Sequence, residues 1–431
     1  MIASRRRTAA VVTVLLILGL AAVAGVLFAA QGGFAPYRVP RGGASSPPST
    51  DAATLARGEY LSRIGDCIAC HTIRGGVAFA GGRAFNTNYG TLYSANITPD
   101  REHGIGDWSV DEFKHVMRNG VSRRGPLYPA FPYAQFASLT DPDLEAIYAY
   151  LRALPPSATS PPSNRLRFPE SWRPVMIGWR MLFYRPSFST SASASADRGQ
   201  YLVDGPGHCA MCHGERGRAA SLPAGGYLAG GSILGSGWYA PPLNATSLSR
   251  FSSSELADYL RTGISKHGSA YGPMADVIYR SLHGLTAEDA TSIAEYLKGL
   301  PPHAGRRGTS RKVTFAQTAD SSGSTGDQIY KKVCSDCHGD DGEGKEDHYP
   351  PLNDSVAVTA PDAVNAVRMV LYGGMAPTTP GNPRPYSMPP FAQQLSNADV
   401  AAVVNYIRRN STTPSRLTAF DIEAMHGIVL E

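Results

Sequence analysis

Cys67-Ile-Ala-Cys70-His71, Cys209-Ala-Met-Cys212-His213 and Cys334-Ser-Asp-Cys337-His338 together use all six cysteines of the 431-residue chain. In each stretch two residues separate the thiols and a histidine follows the second. This spacing suits covalent attachment of haem c, in which the two thiols add to the two vinyl groups and the adjacent imidazole binds iron on one face of the ring. The reading predicts three covalently bound haem c groups. Cys67, Cys70, Cys209, Cys212, Cys334 and Cys337 are the attachment residues, and His71, His213 and His338 are the proximal iron ligands. Disulfides would not require a histidine three times out of three. A zinc site would want paired Cys-x-x-Cys units or further histidines, and a thioredoxin-type motif would want a strand-to-helix setting that the sequence lacks.

Outward from the motifs the chain repeats itself. Before them stand Arg57-Gly58-Glu-Tyr60-Leu61 and Arg198-Gly199-Gln-Tyr201-Leu202, with a degenerate Gly326-Asp-Gln-Ile-Tyr330 in the third copy. Well after them come Leu144-Glu-Ala-Ile-Tyr-Ala-Tyr150-Leu151, Ala290-Thr-Ser-Ile-Ala-Glu-Tyr296-Leu297 and Val400-Ala-Ala-Val-Val-Asn-Tyr406-Ile407. Each has apolar residues at helical spacing, and the first two stop at Pro-Pro pairs. A helix, a motif, loops and a closing helix thus recur three times, as in a tandem repeat. Tyr150 and Tyr296 are read simply as core.

The expected fold is all-α, three tandem cytochrome c domains preceded by a hydrophobic helix. Segments rich in Pro, Ser and Gly set the boundaries. They place a leader or anchor at 1–33, a linker at 34–50, domain 1 at 51–155, a linker at 156–189, domain 2 at 190–302, a linker at 303–323, domain 3 at 324–411 and a tail at 412–431. The length agrees, at roughly 150 residues per domain.

Composition narrows the class. Hydrophobic residues make up 42% and charged residues 17%, which excludes disorder of the whole chain. The net charge of +5 comes partly from Arg5-Arg6-Arg7 and from Arg306, Arg307, Arg311 and Lys312, and does not make a nucleic-acid binder. Ala9 to Ala30 is a run of 22 uncharged positions directly after three arginines. That run is long enough for a bilayer core of about 30 Å, and the arginines orient it with the bulk of the chain outside the cytoplasm. Ala22-Val23-Ala24 offers a signal-peptidase site instead. The apolar run continues six residues beyond it, which favours a retained anchor. Either way the expected location is the periplasmic side of the bacterial inner membrane.

Methionine as second axial ligand raises the potential of a haem. In domain 2, Met274 lies 11 residues beyond Gly263, in Gly272-Pro273-Met274, and is the predicted ligand. In domain 3 the predicted ligand is Met388, in Tyr386-Ser-Met388-Pro389-Pro390. Met375 is a rival too close to the preceding helix, and Met369 reads as helix core. Domain 1 departs: 11 residues beyond Gly120 stands Phe131, which cannot bind iron. Met117 reads as packing, and His103 and His115 as surface residues. The first haem is left either five-coordinate or served by one of these histidines or by a neighbouring segment.

Longer runs carry a resemblance. Gly90-Thr-Leu-Tyr-Ser-Ala-Asn96-Ile-Thr-Pro-Asp100, Gly104-Ile-Gly-Asp107-Trp108, Leu127-Tyr-Pro-Ala-Phe-Pro-Tyr133, Trp179 in Ile-Gly-Trp-Arg-Met-Leu-Phe-Tyr, and Gly237-Trp238-Tyr-Ala-Pro-Pro-Leu-Asn are specific. With them the chain after residue 50 resembles the triple-haem cytochrome c subunits of membrane-bound bacterial alcohol, gluconate and sugar dehydrogenases. The usual methionine of that family falls at Phe131. A phenylalanine there is similar to the variant that serves molybdenum hydroxylases.

The resemblance implies a separate catalytic subunit with a flavin, quinone or molybdenum cofactor. Electrons would pass from it through the haems to membrane ubiquinone or to a downstream cytochrome or oxidase. It implies no catalysis by this chain on the organic substrate. Two other functions remain open: a freestanding multihaem carrier, and a peroxide- or gas-reactive protein working through an open first haem. The Gly225-Gly226 and Gly230-Gly231 pairs read as loops, not phosphate cradles.

Overall fold

The computed structural model describes residues 2–30, 39–40, 48–184, 197–217, 226–233, 235–302, 325–345, 349–409, 411 and 414–426. Gly225, the Ser/Ala run at 189–196 and the basic run at 306–312 lie outside the described residues, as do the side chains of Arg5, Arg6 and Arg7.

Three helix trios follow one another. The opening helices are Ala52–Ile64, Arg198–Asp204 and Thr325–Val333. The middle helices are Val110–Asn119, Ser253–Thr262 and Val364–Tyr372, and the closing helices are Asp141–Ala153, Ala287–Gly299 and Asn397–Ile407. Each closing helix starts at a hydroxyl cap: Thr140, Thr286 and Ser396 accept the N–H of Asp143, Asp289 and Asp399. A cap of this kind contributes about 1 kcal/mol. Leu154 and Leu300 end the first two in extended backbone, ahead of prolines that cannot continue a helix.

Opening and closing helices cross at a glycine in all three trios. A Cβ on Gly58 would lie 2.0 Å from the Ala146 carbonyl oxygen, one on Gly199 2.0 Å from that of Ser292, and one on Gly326 2.4 Å from that of Ala402. At each crossing the β-carbon of Tyr150, Tyr296 or Tyr406 lies against the same face. The glycines are therefore fixed by the approach of two backbones, not by a turn.

The trios enclose three apolar cores. Leu61, Phe113, Leu144 and Ile147 belong to the first, Leu202, Leu256, Ile293 and Leu297 to the second, and Tyr330, Val367, Val400 and Val404 to the third. Fully burying a side chain such as Leu144 contributes about 2 kcal/mol.

The chain is not purely helical. Short antiparallel pairs brace the loops, at Ala84–Thr87 with Gly90–Tyr93, Gly231–Ile233 with Trp238–Ala240, and Gly374–Met375 with Ser387–Met388. They satisfy backbone groups that long loops would otherwise leave unpaired. The span 156–189, expected as a linker, contains the helix Val175–Phe183. Its Arg180 is buried over the rings of Tyr133 and Tyr184, at 5.2 and 4.2 Å. The tail likewise holds a helix, Ala419–His426, whose Ile422 is buried in the third core.

The N-terminal helix spans Ile2–Ala30, and the side chains described in it, at 11–26, are exposed. Among the described residues no helix is long and apolar enough to cross a membrane.

Two junctions join the cores. Between the first and second, Arg57 pairs with Asp143 at 2.5 Å and Arg198 with Asp289 at 2.8 Å. The tyrosines then cross over: Tyr60 donates to Asp289 at 2.5 Å and Tyr201 donates to Asp143. Between the second and third, the Asn365 side chain accepts from the N–H of Tyr239 at 3.0 Å and donates to its carbonyl at 2.8 Å. Thr379 donates to the Thr262 carbonyl at 3.0 Å, and Arg250 pairs with Asp354 at 3.1 Å.

Candidate haem-binding sites

Each Cys-x-x-Cys-His motif folds as a single helical turn that leaves the opening helix. The N–H of His71, His213 and His338 returns to the carbonyl of Cys67, Cys209 and Cys334 respectively, at 2.9 Å in all three. That turn brings the two thiols and the imidazole of each motif to one end of a short coil. All six cysteines are free thiols.

The imidazoles share a second contact. Nδ1 of His71 meets the Ala95 carbonyl at 2.6 Å, Nδ1 of His213 that of Pro241 at 2.7 Å, and Nδ1 of His338 that of Pro350 at 2.9 Å. A carbonyl only accepts, so Nδ1 carries the proton and Nε2 is left with its lone pair. Burial pushes all three imidazoles below their ordinary pKa, against the pull of the carbonyl, and so favours the neutral ligand form. A histidine whose second nitrogen is tied to a carbonyl is the usual oriented metal ligand.

The thiols are tuned the other way. Burial raises Cys67, Cys70 and Cys209 to about 12 and Cys334 to about 11. A thiol–disulfide exchange site needs a depressed pKa, and burial moves these thiols the other way. The donor set suits a haem held by two thioethers and an imidazole. Besides burial, Asp66 and Cys212 push the Cys70 thiol up and Arg83 pulls it down, so Cys70 of the first motif lies within electrostatic reach of Cys212 of the second.

Met274 sits in the first turn of the helix Pro273–Arg280 and packs partly buried against the second core. Met388 pairs with Gly374 in the last hairpin and packs against the third core, whereas Met375 is 54% exposed. Phe131 packs on the first core, its ring 5.5 Å from that of Phe136, and Met117 is buried in the same core. His103 and His115 are half-buried and not the surface residues expected. The N–H of His103 is held by Asp100 at 2.7 Å, and His115 Nδ1 lies 3.3 Å from the Asn119 amide.

Some residues around the sites carry no motif. Ala95, Pro241 and Pro350 act through backbone carbonyls, which leave no mark on residue type. Phe136 lies 5.6 Å from the ring of His208, the residue before Cys209, so aromatic contact runs from Phe131 across the first junction. Arg368 is buried at the second junction, as is the hydroxyl of the partly exposed Tyr271, and only the packing of two segments reveals them.

A helical scaffold with motifs that each offer two thiols and one oriented imidazole defines a c-type cytochrome. Residues 324–411 match the family described as Cytochrome c. The chain is 36% identical over 404 residues to the cytochrome c subunit of the quinone-type alcohol dehydrogenase of Gluconobacter oxydans, covering 89% of this chain and 84% of that one. It is 37% identical to the gluconate 2-dehydrogenase cytochrome c subunit of Pantoea cypripedii, covering 86% and 89% of the two. To a subunit of the nicotinate dehydrogenase of Pseudomonas putida it is 42% identical over 90% of this chain, which spans 33% of that longer protein. The chain belongs to the family of cytochrome c subunits of dehydrogenases, proteins that carry haem and transfer electrons.

Proposed function

We propose that the three cores are three tandem cytochrome c domains, each holding one covalent haem c. In this reading the chain relays electrons from a dehydrogenase catalytic subunit to membrane ubiquinone or to a downstream cytochrome or oxidase. The observation that carries it is the hydrogen bond that Nδ1 of the histidine donates to a backbone carbonyl in all three motifs. Three sites with the same thiols, the same turn and the same oriented imidazole support three equivalent attachments.

Bound there, the haem supplies reversible one-electron exchange. The chain fixes each imidazole, and the apolar cores keep water from the ring. Met274 and Met388 would help His213 and His338 hold the second and third haems, and a thioether there would raise their potentials. The crossed tyrosines hold the first two domains in fixed register, with Cys70 and Cys212 close together, which supports transfer between those haems. The arginines and apolar run at the N-terminus support a place on the periplasmic face of the bacterial inner membrane, by anchor or by cleaved signal. The relatives' names support a dehydrogenase as catalytic partner, of the kind that acts on an alcohol, gluconate or nicotinate.

The mass of the full chain after export tests the count. Three haems per chain are expected, with one lost in each of the pairs Cys67→Ala/Cys70→Ala, Cys209→Ala/Cys212→Ala and Cys334→Ala/Cys337→Ala. Fewer than three on the unaltered chain overturns the reading. Purification from the native membrane should retain a catalytic subunit, and its absence would favour a freestanding carrier. Phe131 supports a second reading, an open first haem that binds carbon monoxide or peroxide. A reduced spectrum unchanged by carbon monoxide eliminates that reading.

A further inference from the structure

Asp66 stands directly before Cys67, with its backbone in the left-handed region at φ 48° and no capping bond from its side chain. Aspartate is one of the few residues that visit this region, because its short polar side chain can bond locally. Here its Oδ1 is buried, without a hydrogen-bond partner among the described residues. A carboxylate oxygen taken from water without a donor is costly while charged, and much less so once protonated.

The groups that face this carboxylate come from both of the first two helix trios. Segments of the second enclose the turn that carries it: Ser281 donates to the Ile64 carbonyl at 3.1 Å, and a Cβ on Gly65 would lie 3.6 Å from the Pro206 carbonyl oxygen. From the helix Pro273–Arg280 come Asp276 and Arg280, paired with each other at 2.7 Å. From the first trio comes Arg83, tied to the Ala69 carbonyl at 2.5 Å. Among the described residues neither arginine pairs with Asp66. Burial, and then the charge of Asp276, push the Asp66 carboxyl up to about 8, against the pull of Arg280 and Arg83. The charge of Asp66 in turn reaches Cys67 and Cys70 on its own turn and Cys212 of the second motif.

We propose that Asp66 binds a proton when the first haem is reduced, so that electron entry at the first site is coupled to proton uptake. This rests on the reading that the first motif holds haem. An electron added beside a carboxylate disfavours its ionised form. The electron comes from the dehydrogenase subunit and the proton from water; iron passes from ferric to ferrous, the carboxylate becomes a carboxylic acid, and no other bond changes. The coupling is reciprocal, so a proton on Asp66 raises the potential by as much as reduction tightens the hold on the proton. Asp66 is a tuning residue that acts through charge and does not touch iron.

The test is spectroelectrochemical titration of the full chain, with all haems attached, across the neutral and alkaline range. One wave should fall as pH rises, by at most a tenfold change in the reduced-to-oxidised ratio per pH unit, ~59 mV for one electron. That wave should be the one missing from Cys67→Ala/Cys70→Ala. Asp66→Asn keeps a residue suited to the left-handed backbone and removes the proton site. Its wave should lose the slope and stay at the acid-side value, above the unaltered chain in alkali. Arg83→Gln, which removes a positive charge facing Asp66, should move the sloping range to higher pH. The redox-difference infrared spectrum of the unaltered chain should gain a protonated-carboxyl band on reduction, and this covers the case in which Asp66→Asn does not fold. A slope that survives unchanged in Asp66→Asn overturns the proposal, as does the absence of that band. If Cys67→Ala/Cys70→Ala removes no haem, the failure lies in the underlying reading instead.

Discussion

Tyr60 donates its hydroxyl to Asp289 at 2.5 Å across a sequence separation of 229 residues, and Tyr201 returns the same bond to Asp143. Each carboxylate is held by the arginine of its own domain and the tyrosine of its neighbour. Removing one hydroxyl leaves a buried acid short of a donor. Tyr60→Phe and Tyr201→Phe are each expected to destabilise the first two domains by about 1–3 kcal/mol, measured by denaturant unfolding of the haem-loaded protein.

The same bonds make the junction sensitive to alkali. Burial, and then the bond to the facing carboxylate, raises Tyr60 and Tyr201 from 10.0 to about 12. Because the folded phenols titrate above the unfolded value, their contribution is complete below pH 10 and is lost as pH rises toward 12. Unfolding midpoints measured from pH 9 to 12 should fall for the unaltered chain and fall less for the double phenylalanine variant.

Gly58→Ala tests the helix crossing. In an exposed helix this change stabilises by about 0.5–1 kcal/mol. Here the new Cβ would meet the Ala146 oxygen at 2.0 Å, so the sign reverses. A loss of more than about 2 kcal/mol is expected from the forced separation of the helices, read as a drop in the thermal midpoint. A stabilised variant would contradict the geometry.

Met274→Ala and Met388→Ala should each lower one haem potential and leave three haems attached, because the thioethers and histidines are untouched. Redox titration with haem quantification checks both. A variant with all three potentials unchanged would remove that methionine from the ligand set.

Phe131→Met would place a thioether at the position that Met274 occupies in the second domain. The potential of the first haem should rise, and any carbon monoxide binding by the reduced protein should disappear. Both are read from difference spectra on the intact chain.

Much of the scaffold was legible because its determinants are local. The motif turns, the hydroxyl caps at Thr140, Thr286 and Ser396, and the proline stops are written in neighbouring residues. The helix Val175–Phe183 was hidden by the prolines around it, which read as linker, and by its brevity. The short hairpins were hidden because two or three residues carry no periodicity. The carbonyls of Ala95, Pro241 and Pro350 belong to any residue type. The contact of Arg368 with Trp238 joins residues far apart in the chain, and no local pattern announces it. Asp143 and Asp289 carry no sequence signal of their role, which depends on how two domains meet.

The crossed tyrosines also bear on how the protein is made. The first helix trio cannot complete the setting of Asp143 until Tyr201 has been synthesised. Neither of the first two helix trios completes the bonds of its buried carboxylate without the other, and the two reach their final form together. In the third copy a glutamine, Gln328, stands at the matching position, so the exchange of phenols belongs to the first two copies.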